Sequence, residues 1–261
     1  MSELKAVLWD VDGTLAETER DGHRVAFNLA FDACGLSWRW DEARYGELLR
    51  ITGGKERLLH DMERRSDGPV LATERAHLAN LLHAKKNAFY ADIVAHAQIP
   101  LREGVGELLD ECADRGVLLG IATTTSRINV DALLRVHLGD QWARSFAVLV
   151  CGEDVQRKKP DPEVYFQALR ALGLGPLDVV AIEDSPGGAS AARAADVPVV
   201  ITRSAYFLNA TIEGAIAIGP GLGTRSGWTP ALHPTLEQEE RVGLDDLVDW
   251  CAQMDTVSQF M

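Results

Sequence analysis

Two aspartates pose the first chemical question. Asp10 and Asp12 stand two residues apart in the stretch DVDGT, at the end of a short apolar run from Leu4 to Trp9. In extended chain, residues two apart leave the backbone on the same side, so both carboxyl groups can face one ligand. One can attack an electrophile such as phosphorus and hold a cation. The other, kept protonated by its like-charged neighbour, can protonate a leaving oxygen. Gly13 permits a sharp turn at once, and Thr14 adds a hydroxyl there. An ordinary Asp-Gly turn closed by side-chain hydrogen bonds would use the same residues. An EF-hand loop would not, because its further oxygen ligands and its terminal Glu are missing.

Three more apolar runs end in reactive residues. Val117 to Ala122 leads into Thr123, Thr124, Thr125 and Ser126, whose hydroxyls and amides suit phosphate oxygens. A helix starting there would add amide donors and a favourable dipole, although helix capping alone would explain the same residues. Lys159, just before Pro160-Asp161-Pro162, is a compact cation able to neutralise both a phosphoryl group and Asp10. Glu183 and Asp184 follow Val179 to Ile182. With Asp10 and Asp12 they offer hard oxygen ligands for Mg²⁺, water and phosphate completing the octahedron. Asp184 or Ser185 could also cap a helix with Pro186 in its first turn, without competing with a metal. Packing alone does not require four chain segments to finish this way.

The elements that must position these residues form a regular alternation. Helix 105–113 leads to strand 117–122, helix 129–138 to strand 146–150, helix 162–172 to strand 179–182, and helix 187–195 to strand 199–201. Apolar strands without polar alternation, separated by amphipathic helices, predict a doubly wound parallel sheet of the α/β class. Such sheets bind ligands at the carboxyl ends of their strands. Residues 18–95 interrupt the pattern with apolar positions at helical spacing, among them Val25, Leu29, Leu58, Leu82 and Phe89. They read as an all-helical insertion, leaving 1–17 and 96–261 as the α/β core. Gly219 to Pro234 reads as an irregular surface connection.

Formal charge is -13, which argues against broad electrostatic binding to nucleic acid or to an anionic membrane. Residues 18–95 hold 12 Lys+Arg and 12 Asp+Glu, so the excess lies wholly outside them. An anionic substrate would find its cations mainly in the insertion. The acidic run Glu237 to Asp249 reads as a solvated surface. Cys34, Cys112, Cys151 and Cys251 show neither a CxxC pair nor a zinc-like spacing. The first apolar run is too short for a signal segment or a membrane span, so a cytoplasmic protein, acting as a monomer, is expected.

In order and spacing, the four segments resemble the motifs of the haloacid dehalogenase superfamily: DVDGTL the first, IATTT the second, KKPDPEVY the third and AIEDS the fourth. The resemblance implies a Rossmann-like core, Asp10 as nucleophile and Asp12 as general acid/base. It makes Thr123 a phosphate donor and Lys159 the charge clamp. It places Mg²⁺ on Asp10, the Asp12 carbonyl and Asp184, with Glu183 in support. A true dehalogenase lacks the second aspartate. The insertion resembles the helical cap of the β-phosphoglucomutase-like branch, in which Lys86 falls where a cap lysine approaches substrate.

ETERDGHRVAFN, ITGGKERLL and HAKKNAFY are similar to the CbbY family, phosphatases of xylulose 1,5-bisphosphate. By position this implies substrate contacts from Gly53, Gly54, Lys55, Glu56 and Arg57, with Glu19 and His23 near the hinge. Three residues, Arg20-Asp21-Gly22, separate Glu19 from His23, one more than in several relatives. A bisphosphate needs cations at both ends, and Lys55 and Arg57 could grip the phosphate that is not cleaved. The expected reaction is therefore removal of the 1-phosphate of a small phosphorylated sugar. A sugar-phosphate mutase on the same fold and a non-catalytic sugar-phosphate sensor are the alternatives.

Overall fold

In the computed structural model, which describes residues 4–97, 99–231 and 241–258, six strands form one parallel sheet. The strands are β1 (Ala6–Trp9), β2 (Leu118–Ala122), β3 (Val148–Val150), β4 (Val179–Glu183), β5 (Val199–Thr202) and β6 (Ala217–Gly219). Their order is β3-β2-β1-β4-β5-β6. The chain leaves β1 in one direction through β2 and β3, then returns to its other side at β4. That reversal opens a crevice beyond the carboxyl ends of β1, β2 and β4.

All four residues of β1 have 0% exposure, which is why the strand is apolar throughout. Its side chains divide between two faces. Val7 and Trp9 pack with α5 (Val105–Asp114) and α6 (Arg127–Leu138), and Ala6 and Leu8 with α7 (Glu163–Leu172) and α8 (Pro186–Ala194). Between β1 and β2 lie a π-helical turn at Glu19–His23 and helices α1 (Arg24–Ala33), α2 (Glu42–Leu48), α3 (Gly54–Met62) and α4 (Ala72–Ala97). They enclose a separate aromatic core in which Phe27, Phe31, Trp38, Trp40 and Tyr45 pack together. The buried Trp40 Nε1 donates to Asp61 Oδ2 at 2.8 Å. Helix α4 joins this layer to the sheet domain by packing on both α1 and α6.

Three local readings change. The strand expected from Phe146 begins at Val148, because Trp142–Ser145 winds as a 3-10 turn. Part of the Gly/Pro-rich connection is core: Gly219 ends β6, Leu222 and Trp228 are buried, and the Trp228 ring lies against Gly219 and beside Trp250. The acidic run is not wholly solvated. Helix α9 (Leu244–Ser258) buries Leu244, Leu247 and Trp250, and Asp246 is buried against Arg225 at 2.6 Å and the Gly243 amide. Acids interleaved with these apolar residues hid the buried face in the sequence. Glu237–Glu240 and residues 232–234 lie outside the described residues. None of the four cysteines forms a disulfide. No helix among the described residues is long and apolar enough to cross a membrane.

Candidate active site

Asp10 leaves the end of β1 into the crevice, its amide donating to the Ile182 carbonyl of β4. Lys159 Nζ donates to Asp10 Oδ1 at 2.7 Å, to Glu183 Oε1 at 2.5 Å and to the Ala122 carbonyl at 2.7 Å. One cation thus ties together the ends of β1, β2 and β4. Tyr165 Oη, from α7, donates to the same Glu183 oxygen at 2.6 Å. Asp184 Oδ2 accepts from Ser204 Oγ at 2.6 Å. Gly13 has φ +87°, and a Cβ there would lie 2.1 Å from Asp184 Oδ2. The first turn therefore demands glycine both for its backbone angle and for the approach of Asp184. Arg102 holds this turn in place by donating to the carbonyls of Gly13, Thr202 and Arg203.

Asp10, Glu183 and Asp184 are all buried and each brings an oxygen within 4.8 Å of the others. Burial pushes the Asp10 carboxyl up to about 7 although Lys159 opposes the rise. Burial, then the charges of Asp10 and Glu183, push Asp184 well above the usual carboxylate range. Three buried carboxyls facing one lysine leave an excess of negative charge. A divalent cation with hard oxygen preference fits that donor set. The Asp12 side chain is not part of the cluster.

Asp12 corrects an expectation. It was to be kept protonated by Asp10, yet its Oδ1 accepts from Thr18 Oγ1 at 2.6 Å and from His23 Nε2 at 2.9 Å. Burial favours its neutral form, but His23, Thr18 and then Lys86 outweigh burial and hold it below the usual carboxylate range. The reversal comes from outside the motif, since His23 and Lys86 belong to the helical insertion. The π-helical turn absorbs Arg20-Asp21-Gly22 and brings His23 round to Asp12, with its ring stacked 4.1 Å from Tyr90. Lys86 is buried between the Phe27 and Tyr90 rings, and burial draws it down to about 8.

Two cavities of about 310 and 400 Å³ meet at Asp12, Glu19, Gly53, Arg57 and Thr124. The smaller holds Asp10, Thr123, Lys159 and Asp184. The larger runs under α3 and α4 past His23, Gly54, Lys55, Glu56, Lys86, Thr125 and Ser126. Every candidate site residue except Glu183, which stands behind Lys159, lines one or both. The structure separates Lys55 from Arg57. Arg57 is buried, donating to Tyr45 Oη at 2.7 Å, and Tyr45 Oη in turn donates to Glu19 Oε2. Lys55 is exposed and borders the larger cavity alone.

Sequence reasoning missed Arg102, Lys158, Tyr165, Ser204 and His83. Lys158 and Tyr165 lie inside the third motif. Lys158 Nζ reaches across to Glu56 Oε1 at 2.7 Å. His83 precedes Lys86 by three residues, a spacing that puts both on one helix face. Arg102 and Ser204 carry no sequence signal.

A fold with this crevice agrees with the family whose model matches residues 4–196, the haloacid dehalogenase-like hydrolases, and the chain belongs to it. Within it the chain is of the CbbY family. It is 47% identical over 204 residues to protein CbbY of Rhodobacter capsulatus, covering 78% of this chain and 87% of that one. Against the plasmid-borne protein CbbY of Cupriavidus necator it is 42% identical over 220 residues, covering 84% and 86%. A crystal structure of a CbbY mutant from Rhodobacter sphaeroides, in complex with xylulose 1,5-bisphosphate, superposes with a TM-score of 0.80 at 37% identity, covering 86% of this chain and 97% of that one. The chain is thus an enzyme, a phosphatase of this family.

Proposed function

We propose that this enzyme removes the 1-phosphate of xylulose 1,5-bisphosphate, with Mg²⁺ and through a phospho-aspartate on Asp10. In this reading residues 18–95 are a cap over a core of residues 1–17 and 96–261. The observation that carries it is the two-ended cleft. A phosphate-cleaving end at Asp10, Thr123 and Lys159 opens into a second cavity edged by Lys55, Lys86 and Lys158. A substrate with anions at both ends matches that charge distribution.

Asp10 and Asp184, with the Asp12 carbonyl, would hold Mg²⁺, and the ion would supply charge neutralisation and polarise the phosphoryl oxygens. Asp10 attacks phosphorus while Lys159 and Thr123 steady the equatorial oxygens. The phosphoryl charge arriving beside Asp12 raises that group's proton affinity above its resting value. Asp12 takes up a proton from solvent as the substrate binds, and then gives it to the departing sugar oxygen. As a carboxylate it next takes a proton from the water that cleaves phospho-Asp10, and His23 orients it throughout. Arg57 and Glu19, joined through the buried Tyr45 hydroxyl, line the passage between the two ends.

Phosphate release with Mg²⁺ across sugar mono- and bisphosphates tests this reading. Xylulose 1,5-bisphosphate should be the preferred substrate and Asp10→Asn should release nothing. An isomeric sugar phosphate accumulating in place of free phosphate would make the enzyme a mutase instead.

A further inference from the structure

We propose that Arg102 is a positioning residue for the metal site, acting through the backbone: it sets where Asp184 stands by fixing the two chain segments that hold that side chain. The proposal rests on the Mg²⁺ reading above and adds a residue to it. Asp184 is held from two sides. On one, Ser204 Oγ donates to its Oδ2 at 2.6 Å. On the other, the Gly13 turn comes so close that a Cβ there would lie 2.1 Å from Asp184 Oδ2 and 3.1 Å from Ser204 Cβ. Both segments are tied to the Arg102 guanidinium. Its Nη1 donates to the Gly13 carbonyl and, at 3.1 Å, to the Thr202 carbonyl. Its Nη2 donates to the carbonyls of Arg203 at 2.7 Å and Pro220 at 3.0 Å. The turn after β1, the end of β5 and the segment after β6 are thus joined by one side chain. A planar fork of donors can span separated carbonyls in this way, whereas an ammonium is a compact point charge.

Ser204 lies between two pinned peptide groups. Arg102 takes the Arg203 carbonyl before it, and Glu17 accepts from the Ala205 amide after it at 3.1 Å. Glu17 Oε1 stands 3.8 Å from Arg102 Nε, so both pins belong to one ion pair. The backbone of Arg102 is fixed too, its amide donating to the Leu15 carbonyl at 2.8 Å while Leu101 bridges Ala16. The chain leaving the sheet domain for the helical insertion and the chain returning from it therefore meet at this pair. With the Arg102 side chain only 14% exposed, water cannot readily replace its donors. Mg²⁺ demands near-ideal octahedral geometry, so a small displacement of a ligand costs affinity.

Calorimetric titration of Mg²⁺ into metal-free, substrate-free wild type, Arg102→Lys, Ser204→Ala and the double variant tests the assignment. Lysine keeps a positive charge beside Glu17, which protects the fold, and it lacks the fork. Thermal melting in chelator checks that each variant is folded. Losing a group that orients a metal ligand typically costs about 10–100-fold in affinity, so the Mg²⁺ dissociation constant should rise about tenfold or more in each single variant. The Mg²⁺ concentration for half-maximal phosphate release should rise with it, and turnover should partly recover at saturating Mg²⁺. Because Arg102 acts in part through Ser204, the double variant should lose less than the product of the two single losses. Wild-type Mg²⁺ affinity in Arg102→Lys, or a double-variant loss equal to that product, overturns the positioning role and leaves the Mg²⁺ reading standing. A wild type that binds no Mg²⁺ overturns both.

Discussion

Replacing Lys159 with Met tests the electrostatic account of the site most directly. Among the described residues, Lys159 is the one cation in salt-bridge contact with the cluster of Asp10, Glu183 and Asp184. It is 4% exposed, and it also satisfies the Ala122 carbonyl. Met keeps the length and apolar stem of the side chain, so the change removes charge and hydrogen bonds rather than volume. Breaking a buried ion pair by deleting one partner costs about 3–5 kcal/mol, because the other charge is left uncompensated. At roughly 2–4 °C per kcal/mol for a chain of this size, the melting temperature should fall by about 6–20 °C. Mg²⁺ should restore part of that fall by supplying positive charge to Asp10 and Asp184, while turnover stays abolished. Thermal unfolding of wild type and Lys159→Met, in chelator and in excess Mg²⁺, reads both effects. A variant melting within about 2 °C of wild type in chelator would refute the idea that Lys159 offsets a buried carboxylate excess.

For Asp12→Asn, the loss of turnover should be greatest with poor leaving groups, since general acid catalysis contributes about 10²–10⁴ in rate. An equal loss on an activated aryl phosphate would argue against that role. Lys55→Ala should weaken bisphosphate use by about 1.5–3 kcal/mol and spare a pentose monophosphate, whereas Arg57→Ala, which also frees Tyr45 and Glu19, should impair both. Matching profiles for the two variants would mean that the separation of Lys55 from Arg57 has no functional consequence. Without metal, Asp10 is raised from 3.8 to about 7 in the fold. Its stabilising contribution is then complete below the unfolded value and is lost as pH rises through the folded one. Mg²⁺ relieves this penalty, so the rise in melting temperature on adding Mg²⁺ should be larger at about pH 8 than at about pH 5. A metal effect that shrinks with rising pH would contradict that sign.

The catalytic core was legible because its signals are local. Period two in a strand puts Asp10 and Asp12 on one side, a glycine with φ +87° must follow them, and uninterrupted apolar runs mark strands covered on both faces. The terminal elements were less legible. Strand β6 is three residues long, and α9 alternates acids with the apolar residues it buries, so neither shows a period above the background.

Sequence alone therefore determined which residues could attack, donate and ligate, and that strand ends would gather them, because those properties depend on residue type and on neighbours a few positions away. Only the tertiary structure decided their charge states and partners. Asp12 is ionised because His23 and Lys86 of the insertion stand beside it, and Asp10 is raised because the fold buries it, with Glu183 adding to the rise. Lys158 meets Glu56 across 102 positions of chain. Electrostatic energy depends on distance through space and on exclusion of water, and neither quantity exists until the chain is folded.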